Sequence, residues 1–221
     1  MRPIISAAQA ADMVNDGAVL MFGGFMGCGT PHGIVDALLA KGVTNLTIIC
    51  NDTGTPEYGT GRLVMARRIK KTIATHVGMN PETGRQMSAG EMEVELIPQG
   101  TMAERIRAAG AGLGGFLTPT GVGTSVEEGK QRITVDGRDY LLEKPLRADI
   151  ALLKAHKADK AGNLIYRLST RNFNPLMAMA ASIIIAEVDE IVEIGQLDPD
   201  AVHTPGVFVQ YLVLSKKEGV Q

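Results

Sequence analysis

Three neighbouring stretches, Ala18-Val-Leu-Met-Phe22, Gly23-Gly-Phe-Met-Gly-Cys-Gly-Thr30 and Leu46-Thr-Ile-Ile-Cys50, decide the fold by their order. The first and third are short, continuous apolar runs, the pattern of strands buried on both faces of a sheet. Between them Pro31 suits the first turn of a helix, Ile34, Val35, Leu38 and Leu39 fall on one face of it, and Gly42 is a natural stop. Strand, glycine loop, helix and strand make a βαβ unit, and such a crossover joins parallel strands.

Working outward from this unit, Ser6-Ala-Ala-Gln9 has the form of a capping box ahead of a short helix with Ala10, Met13 and Val14 on its apolar face, and Asp16-Gly17 stops it. Downstream, the alternation predicts a helix over Gly61 to Lys70, strands over Thr72 to Val77 and Val94 to Pro98, and a helix over Thr101 to Ala109. A helix over Pro175 to Ala181 and strands over Ile183 to Val188 and Phe208 to Leu214 close the pattern. This is the alternation of an α/β fold: an open, mostly parallel sheet with helices on both faces. Asp136-Gly137 within Ile133 to Leu142 predicts a hairpin, and Gly162-Asn163 turns the chain within Asp159 to Tyr166; both are expected as small antiparallel additions at a sheet edge. With no internal repeat and no low-complexity linker, residues 1–221 are expected to form a single domain.

Bulk composition removes several classes of function. The 22 Lys and Arg against 24 Asp and Glu are evenly scattered, with no basic stripe to neutralise a phosphate backbone, so no nucleic acid is expected as a partner. His32, His76, His156 and His203 are far apart and form no metal-binding pair on one helix, so no metal is expected. The apolar run Val19 to Met26 is short and broken by Gly23 and Gly24, so no membrane span is expected, and the reading is a cytoplasmic protein. Cys28 and Cys50 sit in apolar stretches without CxxC spacing and are expected to be buried free thiols.

In a parallel sheet, the loop after the first buried strand faces the ligand crevice, and glycines there let backbone N–H groups approach an anion or carbonyl oxygen. Two ligand classes fit the loop by itself. Gly27-x-Gly29-x-x-x-Gly33 has the look of a dinucleotide loop, with Asp52 after the next strand placed to hold a ribose hydroxyl, which would make the chain an NAD-dependent dehydrogenase. Against it stand the stiffening Pro31, glycines that begin too early, and the lack of a paired Tyr and Lys. A non-catalytic ligand-sensing α/β module is the other alternative.

The longer context points elsewhere. Asp16-Gly-Ala-Val-Leu-Met-Phe-Gly-Gly-Phe-Met-Gly-Cys-Gly-Thr-Pro31 resembles, position by position, the signature of the alpha-type subunits of the acetate/butyrate–acetoacetate coenzyme A transferases, the 3-oxoacid CoA-transferase family. Pro98-Gln99-Gly100-Thr101, Gly112-Leu-Gly-Gly-Phe-Leu-Thr-Pro-Thr-Gly121, Arg171-Asn-Phe-Asn-Pro175 and Val202-His-Thr-Pro-Gly206 extend the resemblance over nearly the whole chain.

That resemblance implies ping-pong transfer of coenzyme A from a short-chain acyl-CoA or 3-oxoacyl-CoA to a carboxylic acid, through a glutamyl-CoA thioester. The family's nucleophile lies in a Ser-Glu-Asn-Gly motif of a beta-type chain, and that tetrapeptide does not occur here. The resemblance therefore implies a beta-type partner, as an α2β2 heterotetramer, and no catalytic residue in this chain. It implies no permanently bound cofactor, coenzyme A thioester being a substrate. Gly24, Phe25, Met26, Gly27, Cys28, Gly29 and Thr30 map onto the coenzyme A contact, and Gln99 onto a group near the reacting carboxylate. Phe25 and Met26 also read as packing residues, and Gln99 as a helix cap. Glu127-Glu128-Gly129 imitates the missing motif but sits in a polar, charged stretch, where a solvated face is the plainer reading; Cys28 has no evident base beside it. Glu91, Glu93 and Glu95 alternate as the solvent side of a strand.

Overall fold

A computed structural model describes residues 1–216. The chain opens with β1 (Ile4–Ile5), α1 (Ala7–Asp12) and β2 (Val19–Phe22), then α2 (His32–Lys41), β3 (Leu46–Ile49), α3 (Gly61–Met65), β4 (Ile69–Ala74), α4 (Pro81–Ser88), β5 (Glu93–Leu96) and α5 (Gln99–Gly110). It continues with β6 (Phe116–Thr118), β7 (Arg132–Val135), β8 (Arg138–Glu143), β9 (Ala148–Asp159), β10 (Leu164–Ile165), α6 (Asn174–Met177), β11 (Ala181–Val192) and β12 (Tyr211–Leu214). Eight of the strands form a parallel path in the order β1-β12-β11-β9-β2-β3-β4-β5, and β10 adds antiparallel to β9. The α/β architecture read from the sequence, with helices on both faces, is what the structure has.

Strand alternation sends the apolar residues of β2 to both layers. Leu20 and Phe22 pack with Ile34, Val35 and Leu38 of α2, whereas Met21 faces Met102 and Ile106 of α5 and Met177 of α6. The Ser6–Gln9 capping box forms as expected, and Gly42 ends α2 in the left-handed conformation that its φ of 79° requires. β2 lies between β3 and β9: from it the chain winds one way through β3, β4 and β5, and the other half of the sheet lies on its opposite side. Ligand crevices open outside the carboxyl ends of strands at such a reversal. The glycine loop leaves β2 at that point.

Four expectations need correction. Strand β9, in the sheet centre, has no counterpart in the sequence reading; its sequence Ala148-Asp-Ile-Ala-Leu-Leu-Lys-Ala-His-Lys-Ala-Asp159 is rich in alanine and charge, and only pairing with β2 and β11 on either side makes it a strand. The helix expected to Lys70 stops at Met65, because Arg67 turns the chain at a φ of 56° and β4 begins at Ile69. Helix α4 was missed although Asn80 caps it and Pro81 opens it, since its polar sequence carries no long apolar stripe. Finally, the Asp136-Gly137 hairpin forms, but as part of a separate three-stranded sheet, β6-β8-β7, and β10 pairs with the interior strand β9 and not at an edge.

Candidate active site around the glycine loop

The loop after β2 is a tight hairpin. Phe25 and Cys28 exchange backbone hydrogen bonds of 3.0 and 2.9 Å, with Met26 and Gly27 between them at φ values of 50° and 80°. Positive φ at both central residues is the pattern of a type I′ turn. At Met26, a residue with a Cβ, such a backbone costs on the order of 1 kcal/mol, so the surroundings must hold it. They do so with a carboxylate: the Met26 N–H donates to Asp52 Oδ2 at 2.8 Å.

Most of the loop's amides are engaged within the protein. Gly23 N–H donates to Leu152 O, Gly24 N–H to Asn172 Oδ1 at 3.1 Å, and Thr30 N–H to Gly27 O. Among the described residues, Gly27 and Gly29 are the loop positions whose N–H groups have no acceptor in the protein. The backbone cradle expected from the glycines is thus narrower than the sequence suggested. The glycines serve packing instead: a Cβ on Gly23 would lie 1.8 Å from Asn174 Oδ1, on Gly24 2.2 Å from Thr30 Oγ1, and on Gly27 2.1 Å from the Tyr58 ring.

The two asparagines of Arg171-Asn-Phe-Asn-Pro175 clamp this loop from the other half of the sheet. Asn172 accepts from Gly24 N–H and donates to Cys28 O at 2.9 Å; Asn174, fully buried, donates to Gly29 O at 3.0 Å and Thr170 O at 2.9 Å and accepts from Lys154 N–H at 3.0 Å. Their clamping role was not read from the sequence, although the motif itself stood out. Helix α2, which follows the loop, carries a protein carboxylate at its start. Glu187, 3% exposed, accepts from Ile34 N–H at 3.0 Å, where the helix dipole favours negative charge. The Ile34 amide at that helix end is therefore taken by a carboxylate of the protein itself.

What remains outward are side chains. Phe25 and Met26 are each 44% exposed, too open for core packing. Phe25 lines a shallow depression of about 370 Å³ together with Gln99, Gly100, Ala103, Asn172, Phe173 and Leu176. Gln99, the first residue of α5, donates from Nε2 to Asn51 Oδ1 at 2.7 Å, so it does not cap its own helix. A larger hollow of about 480 Å³ lies behind α2, but Lys154 there is paired with Asp189 at 2.5 Å and Glu187 at 3.7 Å, a self-neutralised lining.

Comparison with known proteins places the chain in a family. The family model described as Coenzyme A transferase matches residues 4–215. The chain belongs to the coenzyme A transferase family. It is 55% identical over 214 residues to the acetate CoA-transferase subunit alpha of Escherichia coli strain K12, covering 97% of each chain. It is 48% identical over 210 residues to the acetoacetyl-CoA:acetate/butyrate CoA transferase alpha subunit of Clostridium acetobutylicum, covering 95% of this chain and 96% of that one. A crystal structure of an acyl-CoA transferase from Escherichia coli O157:H7, in thioester complex with CoA, shares the fold with a TM-score of 0.86 at 23% identity. That match takes in 97% of this chain and 47% of the other, so the transferase chain spans about half the length of that protein.

The other residues weighed in the transferase chain fall outside this site or are spent. Asp52, the ribose acceptor of the dehydrogenase alternative, is 6% exposed and has both oxygens engaged: Oδ2 by Met26 N–H and Asn51 Nδ2, Oδ1 by Gly54 N–H at 2.8 Å. Nothing supports that alternative. Glu127 accepts from Gly123 N–H at 2.7 Å and from Arg132, which hold its carboxyl below the usual range, and it sits on an exposed turn. Glu91 lies in a turn, paired with Arg67 and Arg85, and Glu95 pairs with Lys71 and Arg105. Cys50 is buried as expected, and burial first, then the Asp52 charge, pushes its thiol well up. Cys28 corrects the expectation: it is exposed, with Sγ 3.5 Å from Ser169 Oγ. Among the described residues no His, Cys, Asp and Glu group could hold a metal ion, and no helix is long and apolar enough to cross a membrane.

Proposed function

We propose that this chain is the alpha-type half of a short-chain CoA-transferase whose active site closes only against a beta-type subunit, in an α2β2 assembly of the cytoplasm. The observation that carries this reading is the depression shared by Phe25 and Gln99. It is walled by Ala103, Phe173 and Leu176, and the carboxylate of the neighbouring turn, Asp52, has both oxygens engaged. Such a surface suits a short acyl chain and a carboxyl group but offers no nucleophile of its own.

On this reading the substrates are acetate, butyrate or acetoacetate and the matching coenzyme A thioesters, the acids for which the relatives above are named. A glutamate carboxylate of the beta-type chain attacks the thioester carbonyl and expels the coenzyme A thiolate, leaving a mixed anhydride. The thiolate attacks the glutamyl carbonyl and releases the first acid, and the resulting glutamyl thioester hands coenzyme A to the second acid by the reverse steps. Each attack develops an oxyanion, and fixed neutral donors stabilise it without adding charge. In this chain Gln99 supplies an amide at that place, and Gly27 and Gly29 supply the loop N–H groups that remain unspent. Gly24, Phe25, Met26, Cys28 and Thr30 shape the wall against the thioester. Residues 1–221 act as one domain, with coenzyme A entering only as substrate.

The test is loss of acetoacetyl-CoA in the presence of acetate, with this chain alone and mixed with its beta-type partner. Turnover only in the mixture is the expected result. Equal turnover by this chain alone would sink the split site.

A further inference from the structure

Beneath the Phe25–Gln99 depression runs a line of polar groups from the glycine loop to Gln99, each at the carboxyl end of a neighbouring strand. Asn51 follows β3, Thr75 follows β4 and Gln99 follows β5. Asp52 Oδ2 accepts from both Met26 N–H and Asn51 Nδ2 at 2.8 Å, and Asn51 Oδ1 accepts from Gln99 Nε2 at 2.7 Å and Thr75 Oγ1 at 3.1 Å.

We propose that Asp52 is a positioning residue: through Asn51 it fixes which way the Gln99 amide faces, and through Met26 it fixes the glycine loop against the same depression. This rests on the transferase reading above. The logic is one of donors and acceptors. An ionised carboxylate only accepts, so the Asn51 amide must turn its NH₂ to Asp52 and its oxygen to Gln99. Gln99 must then turn its NH₂ toward Asn51. Flipping either amide would set oxygen against oxygen or NH₂ against NH₂ at Asn51, which is 2% exposed and where unmet polar groups are costly, although Gln99 itself is exposed. One carboxylate thereby orders two amides and a strained turn before any substrate arrives, which is the preorganisation an oxyanion donor needs.

An orienting role predicts a distinct pattern in the assembled complex with the beta-type chain. Asp52→Ala removes the anchor and should lower kcat roughly 10–100-fold, the scale of an ångström-sized misplacement, while KM for acetoacetyl-CoA changes little. Gln99→Ala should lower kcat by a similar factor, and the Asp52→Ala, Gln99→Ala double variant should lose clearly less than the product of the two single losses, because both act in part through the same amide. Should Asp52→Ala fail to assemble, Asp52→Ser is carried through the same cycle. Fully multiplying losses in the double variant, or an unchanged kcat in Asp52→Ala, would each overturn the proposal. An inactive wild-type complex would instead overturn the transferase reading itself.

Discussion

Two glycine-rich segments of this protein look alike on paper and differ in why they need glycine. In Gly23–Gly29 every glycine faces an atom within 2.7 Å of where a Cβ would stand: Asn174, Thr30, Tyr58 and the Thr170 carbonyl. In Gly112–Gly129, which leads into the second sheet, Gly112, Gly114, Gly123 and Gly129 have open space around that position, and three of these four keep a positive φ. The first segment lacks room at every glycine and has a positive φ at three of them as well, whereas in the second only Gly115 and Gly121 are crowded and the others answer mostly to backbone conformation. Lack of room means that something has closed on the loop: at Gly23 and Gly29 residues from the distant half of the sheet, at Gly27 the Tyr58 ring, and at Gly24 the loop's own Thr30. It separates a site from a turn better than glycine count does.

The sharpest way to break this comparison is Gly23→Ala. Its methyl group collides with the Asn174 amide, and we expect a loss of about 3 kcal/mol, a fall of roughly 6–12 °C in melting temperature. Asn174→Ala approaches the same contact from the other side, leaving the Gly29 and Thr170 carbonyls and Lys154 N–H without partners. It should cost about 2–3 kcal/mol, read by urea unfolding, and reduce turnover of the assembled enzyme. In the open segment, Gly123→Ala meets no atom and suffers only its φ of 77°, so about 1 kcal/mol is expected from the same unfolding curves. Gly114→Ala, with open space and no positive φ, should move the midpoint by no more than about 0.5 kcal/mol in either direction. A loss at Gly114 equal to that at Gly23 would break the distinction.

The smallest effect concerns pH. Glu127 is held below its ordinary value of 4.5 by the Gly123 N–H first and by Arg132 next. Its contribution to stability is present above that ordinary value and is lost as pH falls through the lowered folded one. Replacing it, Glu127→Gln, should flatten the wild type's decline in melting temperature below pH 4.5 by a small but measurable slope, since the group is exposed to solvent.

Much of this molecule was legible in the order of its residues. The strand–loop–helix run from Ala18 to Cys50, the Ser6–Gln9 cap and the Asp136-Gly137 hairpin are local, set by periodicity and by φ preferences that hold wherever the chain goes. The family signature from Asp16 to Pro31 named the chemistry. Strand β9 was hidden, because Ala, Lys and His carry no strand preference until β2 and β11 flank them.

The working order of the site was decided only in three dimensions. Gly24 meets Asn172 across 148 residues, Ile34 meets Glu187 across 153, and Gln99 meets Asn51 across 48. Which loop amides are spent, which helix end is filled and which way Gln99 turns depend on these pairings. A local pattern specifies what a residue tolerates next to itself; which polar group it meets follows from which strands lie side by side.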